Sequence, residues 1–205
     1  MRYKKSAISA AQIVAAATRV IARQGYARTS LNDIAKEAGM SKGAVHYHFP
    51  TKEALVAEVL ERATDAVAER TMAAWQSGGQ NPLDALRSAV RELWAVRVSR
   101  SDEVAVVADL LAQALHDEAL RPQLAGYYRF ASAQTAEHLV GVLASFGIQP
   151  RVDAALIPRL LLGLLDGLVL QVFVDPDVID ADELVKSVEL IAGALFELPP
   201  GIVGA

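Results

Sequence analysis

Between Ser41 and Pro50 the chain puts a cation, an imidazole, a phenol and a bare glycine on one side of a short helix. At about 100° per residue, Lys42, Gly43, His46 and Tyr47 fall within one arc, and Ala44, Val45, His48 and Phe49 within the other. The polar arc holds no nucleophile beside a base. His46 and His48, two residues apart, do not share a helix face and make a poor metal pair. What such an arc suits is the major groove of DNA. Lys42 can reach guanine O6 or N7, and Gly43 lets the backbone come close. Tyr47 and Lys52 fit phosphates, which set register rather than sequence. His46 fits either role, and His48, on the inner side, either touches the DNA backbone or packs.

The elements that position this arc are written in Thr29 to Lys52, TSLNDIAKEAGMSKGAVHYHFPTK. Ser30 stands before the apolar positions Leu31, Ile34, Ala35 and Ala38, with Asp33 three residues on, a capping-box-like helix start. Gly39 follows where the helix must end and the chain must turn. Ser41 caps the second helix and Pro50 ends it. The Thr29 hydroxyl or the Ser30 amide is a candidate phosphate holder at the first helix's N-terminus. Upstream, Ser9 to Gln24 forms a bracing helix with Ile13, Ala16, Ala17, Val20 and Ile21 at core spacing. Arg2, Lys4 and Lys5 are expected to form a disordered basic arm before it.

The pattern Thr-Ser-x-x-x-Ile-Ala-x-x-Ala-Gly-x-Ser-x-Gly-x-Val-x-Tyr-His-Phe-x-x-Lys resembles the DNA-binding domain of TetR-like regulators, over Ile13 to Leu55. Members of that family usually carry two aromatics before the His-Phe pair; here His46 precedes Tyr47. The resemblance implies a dimer that grips a near-palindromic double-stranded operator and lets go when a small molecule binds. An activator, or a sensor of a protein partner, is the alternative within the same fold.

Charge and composition agree with this division of labour. The net charge of −4 hides an asymmetry: residues 1–52 hold nine Lys/Arg against two Asp/Glu, giving +7, while residues 53–205 come to −11. A basic nucleic-acid-binding head, 1–52, on an acidic ligand-binding and dimerisation body, 53–205, is the expected organisation. With no cysteine there is neither a disulfide framework nor a thiolate metal site, and no cofactor or metal motif occurs. Lacking a nucleophile motif or a glycine-rich phosphate loop, the chain does not look like an enzyme. Its N-terminus has no continuous apolar core, so a cytoplasmic location is expected.

The remainder reads as an all-α body. Thr51 caps a long helix to about Gln76, with Leu55, Val59, Ala63, Ala66 and Ala73 inward. SGGQNP is a linker, after which helices are expected over 82–99, 101–116 and 121–146. In the second of these, Val104, Val107, Ala108, Leu111 and Leu115 are expected to face inward. The 15-residue run LLLGLLDGLVLQVFV, within a helix expected over 153–174, is short for a membrane span and contains Asp166. A helix so apolar must be buried from two directions, and with a last helix over 180–198 it is expected to pair with its copy in a homodimer. Trp75, Trp94, Gln113, His116, Tyr128, Gln134, His138, Asp166 and Gln171 are candidate lining for an amphipathic effector. Among them, a carboxylate amid leucines, Asp166 must be paired, hydrogen-bonded or protonated.

Overall fold

A computed structural model describes residues 2–79 and 81–197, the side chains of residues 2–6, 138–142, 144 and 145 excepted. The helices are α1 (Arg2–Gln24), α2 (Leu31–Glu37), α3 (Lys42–His48), α4 (Lys52–Ser77), α5 (Pro82–Val98), α6 (Asp102–Ala114), α7 (Arg121–Ser145), α8 (Ile157–Val174) and α9 (Ala181–Leu195). Two two-residue strands, β1 (Gln149–Pro150) and β2 (Phe196–Glu197), pair antiparallel. The all-α class expected from the sequence holds, with this short ladder as its exception among the described residues.

Packing divides the chain into two compact units, Met1–Thr64 with Arg100–Tyr127 and Asp65–Ser99 with Tyr128–Ala205. Division by packing is not division by charge, because α4 and α7 each supply residues to both units. In the first unit, Ile13, Ala17, Val20 and Ile21 of α1 meet Ile34 of α2, Val45 of α3, Leu55 and Val59 of α4, and Val106 and Leu110 of α6 in one buried cluster. The core of the second joins Val90 and Trp94 of α5, Leu165 and Val169 of α8, and Leu184, Val185 and Val188 of α9. A small cluster of Ile148, Ile157 and Phe196 lies under the β1–β2 ladder.

Several boundaries and faces differ from the sequence expectation, each for a physical reason. Helix α1 starts at Arg2, so Arg2, Lys4 and Lys5 belong to a helix and not to a disordered arm. Residues 2–8 contain no Gly or Pro, and extending an existing helix is far easier than nucleating one. Helix α8 begins at Ile157, not at residue 153, because 153–156 close a turn with Leu156 N–H donating to the Asp153 carbonyl. Helix α9 stops at Leu195: Phe196 takes extended backbone and its ring is buried in the small cluster, while Leu198 lies outside the described residues. In α6 the buried positions are Val106 and Leu110; Leu115 is exposed, and Val104, Val107, Ala108 and Leu111 are half-buried. On α4, Ala66 and Ala73 are exposed where an inward face was expected, since alanines alone give the helix little to bury.

Candidate nucleic-acid interface

Helix α2 is closed at both ends by its own residues. At its start the Ser30 hydroxyl accepts from Asp33 N–H (3.2 Å) while the Asp33 carboxylate accepts from Ser30 N–H (3.0 Å), a complete capping box. These hydrogen bonds, the Ser30 hydroxyl's first, hold the Asp33 carboxyl below the usual aspartate range. At its end Gly39 sits at φ +65°, Met40 N–H donates to the Ala35 carbonyl and Gly39 N–H to that of Lys36, a Schellman turn that only a residue at ease with positive φ completes cheaply. Ser41 then accepts from Ala44 N–H (3.2 Å) and starts α3. Val45 and Ile34, both fully buried, lock α3 onto α2 and α1.

A pH dependence follows from the cap. Because the native pKa of Asp33 is lowered, its stabilisation is complete above the ordinary aspartate value of 3.8 and is lost as pH falls through the lower native value. Urea midpoints of wild type and Asp33→Asn should therefore converge as pH falls below the ordinary aspartate value of 3.8. Parallel pH profiles would show the capping box contributing nothing through its charge.

With the turn fixed, α3 presents Lys42, Gly43, His46 and Tyr47 to solvent, Tyr47 at 79 % exposure. His48 is half-buried, its ring edge-on to Tyr47 (centroids 5.3 Å) and tilted against Phe49 (6.4 Å). The other polar candidates have intramolecular duties. Thr29 is buried and its hydroxyl donates to the Gly25 carbonyl (2.8 Å), and the Ser30 N–H is taken by Asp33. Lys52 donates from Nζ to the Tyr26 carbonyl (2.5 Å) and lies 3.6 Å from the Tyr26 ring centroid, a cation–π placement. Burial lowers its pKa, against the raising pull of Glu53, Asp117 and Asp109.

Sequence inspection missed the rest of this knot. Tyr26 N–H donates to the Asp109 carboxylate on α6 (2.6 Å), and the Tyr26 hydroxyl donates to Glu53 (3.3 Å). Burial, then Glu53, pushes the Tyr26 hydroxyl pKa up. The only signal in the sequence was Asp109 itself, one acid in the apolar run VAVVADLLAQAL.

The candidate effector residues do not form one group. Gln113 and His116, half-buried and exposed, belong to the first unit, and the others to the second. Trp94 is core, Trp75 is half-buried, and the Gln134 amide donates to Asp65 (3.3 Å). Gln171 is exposed and lines a shallow groove with Leu170, Val174, Asp175 and Val178. The side chain of His138 lies outside the described residues. Tyr128 and Asp166 are brought together: the Tyr128 hydroxyl donates to Asp166 Oδ2 (2.9 Å), and Arg97 Nε stands 3.6 Å from Oδ1. Asp166 is thus paired within its own chain, by an arginine the sequence reading did not single out.

Comparison with known proteins agrees with this geometry. Residues 13–59 match the model of bacterial regulatory proteins of the tetR family, and residues 82–196, more than half of the chain, match the C-terminal region of BetI-type transcriptional repressors. This chain belongs to the tetR family. Similar proteins include the HTH-type transcriptional regulator LmrA of Bacillus subtilis, 35 % identical over 83 residues, 40 % of this chain and 44 % of that one. The HTH-type transcriptional regulator TtgR of Pseudomonas putida is 33 % identical over 84 residues, 41 % of this chain and 40 % of its own length. The chain thus spans less than half the length of these curated relatives. A transcriptional regulator from Rhodococcus sp. Rha1 superposes with TM-score 0.68 at 28 % identity, covering 91 % of this chain and 95 % of that one. Both matched family models are those of bacterial transcriptional regulators.

Proposed function

We propose that the protein is a cytoplasmic homodimeric repressor that places α3 of each subunit in successive major grooves of a near-palindromic operator and is released by a small amphipathic molecule. The supporting observation is the outward arc of α3. Lys42, Gly43, His46 and Tyr47 are exposed on a helix whose approach is fixed by a capping box, a Schellman turn and a buried Val45–Ile34 contact. Lys42 takes a guanine edge, Tyr47 a phosphate, and His46 one or the other. Thr29, Ser30 and Lys52 act by shaping the scaffold rather than by offering free donors.

The homodimer reading rests on α8 and α9. Leu170, Val174 and Leu190 are 61 %, 87 % and 79 % exposed, and Leu160 and Ile191 are exposed beside them. A Cβ added at Gly163 or Gly167 of α8 would meet nothing within 4 Å, so this face has room for a second backbone. Alone among the described helices α8 is long and apolar enough to cross a membrane, yet it carries the Arg97–Asp166 pair midway. A second copy of the chain, rather than lipid, fits that face.

Fluorescence anisotropy with the duplex upstream of the protein's own gene tests the DNA half. Affinity should fall by about one log unit per log unit of salt for each phosphate contact. Lys42→Ala should weaken binding about 10- to 100-fold without lowering Tm, as expected for loss of a bidentate base contact. Binding insensitive to salt, or to Lys42→Ala, would remove α3 as the reading element.

A further inference from the structure

The polar cluster on α5, α7 and α8 is left incomplete by the described residues. Arg97 is 12 % exposed in its side chain and Asp166 24 %. Asp166 Oδ1 at 3.6 Å from Nε is an ion pair without a hydrogen bond, and Oδ2 is engaged by the Tyr128 hydroxyl. A guanidinium donates from five N–H groups in a rigid fork, and the Asp166 carboxylate is paired with it at Nε. Arg97 Nη1 is buried with no hydrogen-bond partner among the described residues. So is the hydroxyl of Ser132, a buried residue one helical turn beyond Tyr128 and therefore on the same face of α7.

Buried donors on a charged group are costly to leave unpaired, more so in apolar surroundings. Here the surroundings are apolar. Arg97 follows Leu93 and Trp94 by one turn on α5, and Asp166 lies between Leu162 and Val169 on α8, all buried or partly buried. Solvent still reaches Asp166, so the cluster is open on one side.

We infer that Arg97 Nη1 and the Ser132 hydroxyl form the recognition point for the carboxylate of an amphipathic anionic effector, whose apolar body lies along the partly buried leucines of α5 and α8. Asp166, held back by Tyr128, orients the guanidinium and competes with the incoming anion for its charge. A carboxylate satisfies a guanidinium fork as no neutral group does, and the carboxylate of Asp166 argues equally that a second acid must win its place by geometry. This inference rests on the effector-released reading above and names the class of effector.

Isothermal titration of the full-length protein with benzoate, 4-phenylbutyrate and decanoate, each against its primary amide, tests it. At least one acid should bind tenfold or more tighter than its amide. Ser132→Ala should weaken that acid about three- to tenfold and Arg97→Gln by tenfold or more. Asp166→Asn, which keeps an acceptor for Tyr128 but removes the competing charge, should tighten it at least threefold. A merely structural Asp166 would not produce that gain, and a cation-binding Asp166 would instead make phenethylammonium the better ligand in wild type. Should Arg97→Gln fail to fold by circular dichroism, the Ser132 and Asp166 variants decide. No acid exceeding its amide, or Asp166→Asn weakening the acid, overturns the site. Release from DNA is followed separately by anisotropy: an acid that binds at this cluster while the operator complex persists overturns the effector-released reading and leaves the site standing.

Discussion

Leu170→Glu combined with Leu190→Glu should convert the protein to a monomer and lower its operator affinity by at least about 100-fold. Both positions are exposed in the single chain, so two carboxylates there cost the fold little; exposed substitutions usually stay within about 0.5 kcal/mol each. In a homodimer paired through α8 and α9, however, four carboxylates would enter an apolar seam without partners. The DNA consequence is large because each subunit carries one α3. Tethering two half-site contacts makes the second intramolecular, and such linkage raises affinity by about 10²- to 10⁴-fold. Sedimentation velocity reads the assembly, and anisotropy at matched salt reads the affinity. A variant that sediments as a dimer, or a monomer that binds as tightly as wild type, would place the seam elsewhere.

Asp109→Ala should lower Tm by about 3–12 °C and loosen the loop before α2. The Tyr26 N–H···Asp109 bond is short (2.6 Å), charge-assisted and partly buried, and Ala would leave a main-chain donor with no acceptor. A bond to a charged group contributes about 1.5–3 kcal/mol, and in a chain of this size each kcal/mol shifts Tm by roughly 2–4 °C. Asp109→Asn keeps an acceptor oxygen and should lose markedly less. Hydrogen exchange at Tyr26 separates this from a general loss of stability: its amide should exchange faster in Asp109→Ala while that of Val45 keeps most of its protection. Equal loss at both would mean that the bond adds only to global stability.

Helix starts and stops were legible where a cap carries them locally: Ser30 and Ser41 each cap a helix, and Gly39 takes positive φ at a helix end. These signals act within four residues, so a single sequence contains them whole. The outward arc of α3 was legible for the same reason. Helix faces in the body were less so, because in α6 a rotation of one residue exchanges Leu110 for Leu111, and both are leucine. Long-range polar pairings were out of reach. Nothing near Arg97 in the chain announces Asp166, 69 positions on, nor does anything near Tyr26 announce Asp109. The β1–β2 pairing depends on Phe196 finding Ile148 and Ile157, which no local pattern encodes.

The closed hydrogen bonding of α2 and its turn has an evolutionary consequence. Ser30, Asp33, Gly39, Ser41, Ile34 and Val45 hold α3 in place without help from Lys42, His46 or Tyr47. Substitutions at those three outward positions are therefore close to neutral for folding, and under the proposed reading of α3 drift there is filtered by the operator alone. On that reading a lineage carrying this head can change the site it reads through single exposed substitutions while its scaffold stays constant, and the histidine at 46 is the kind of change such freedom permits.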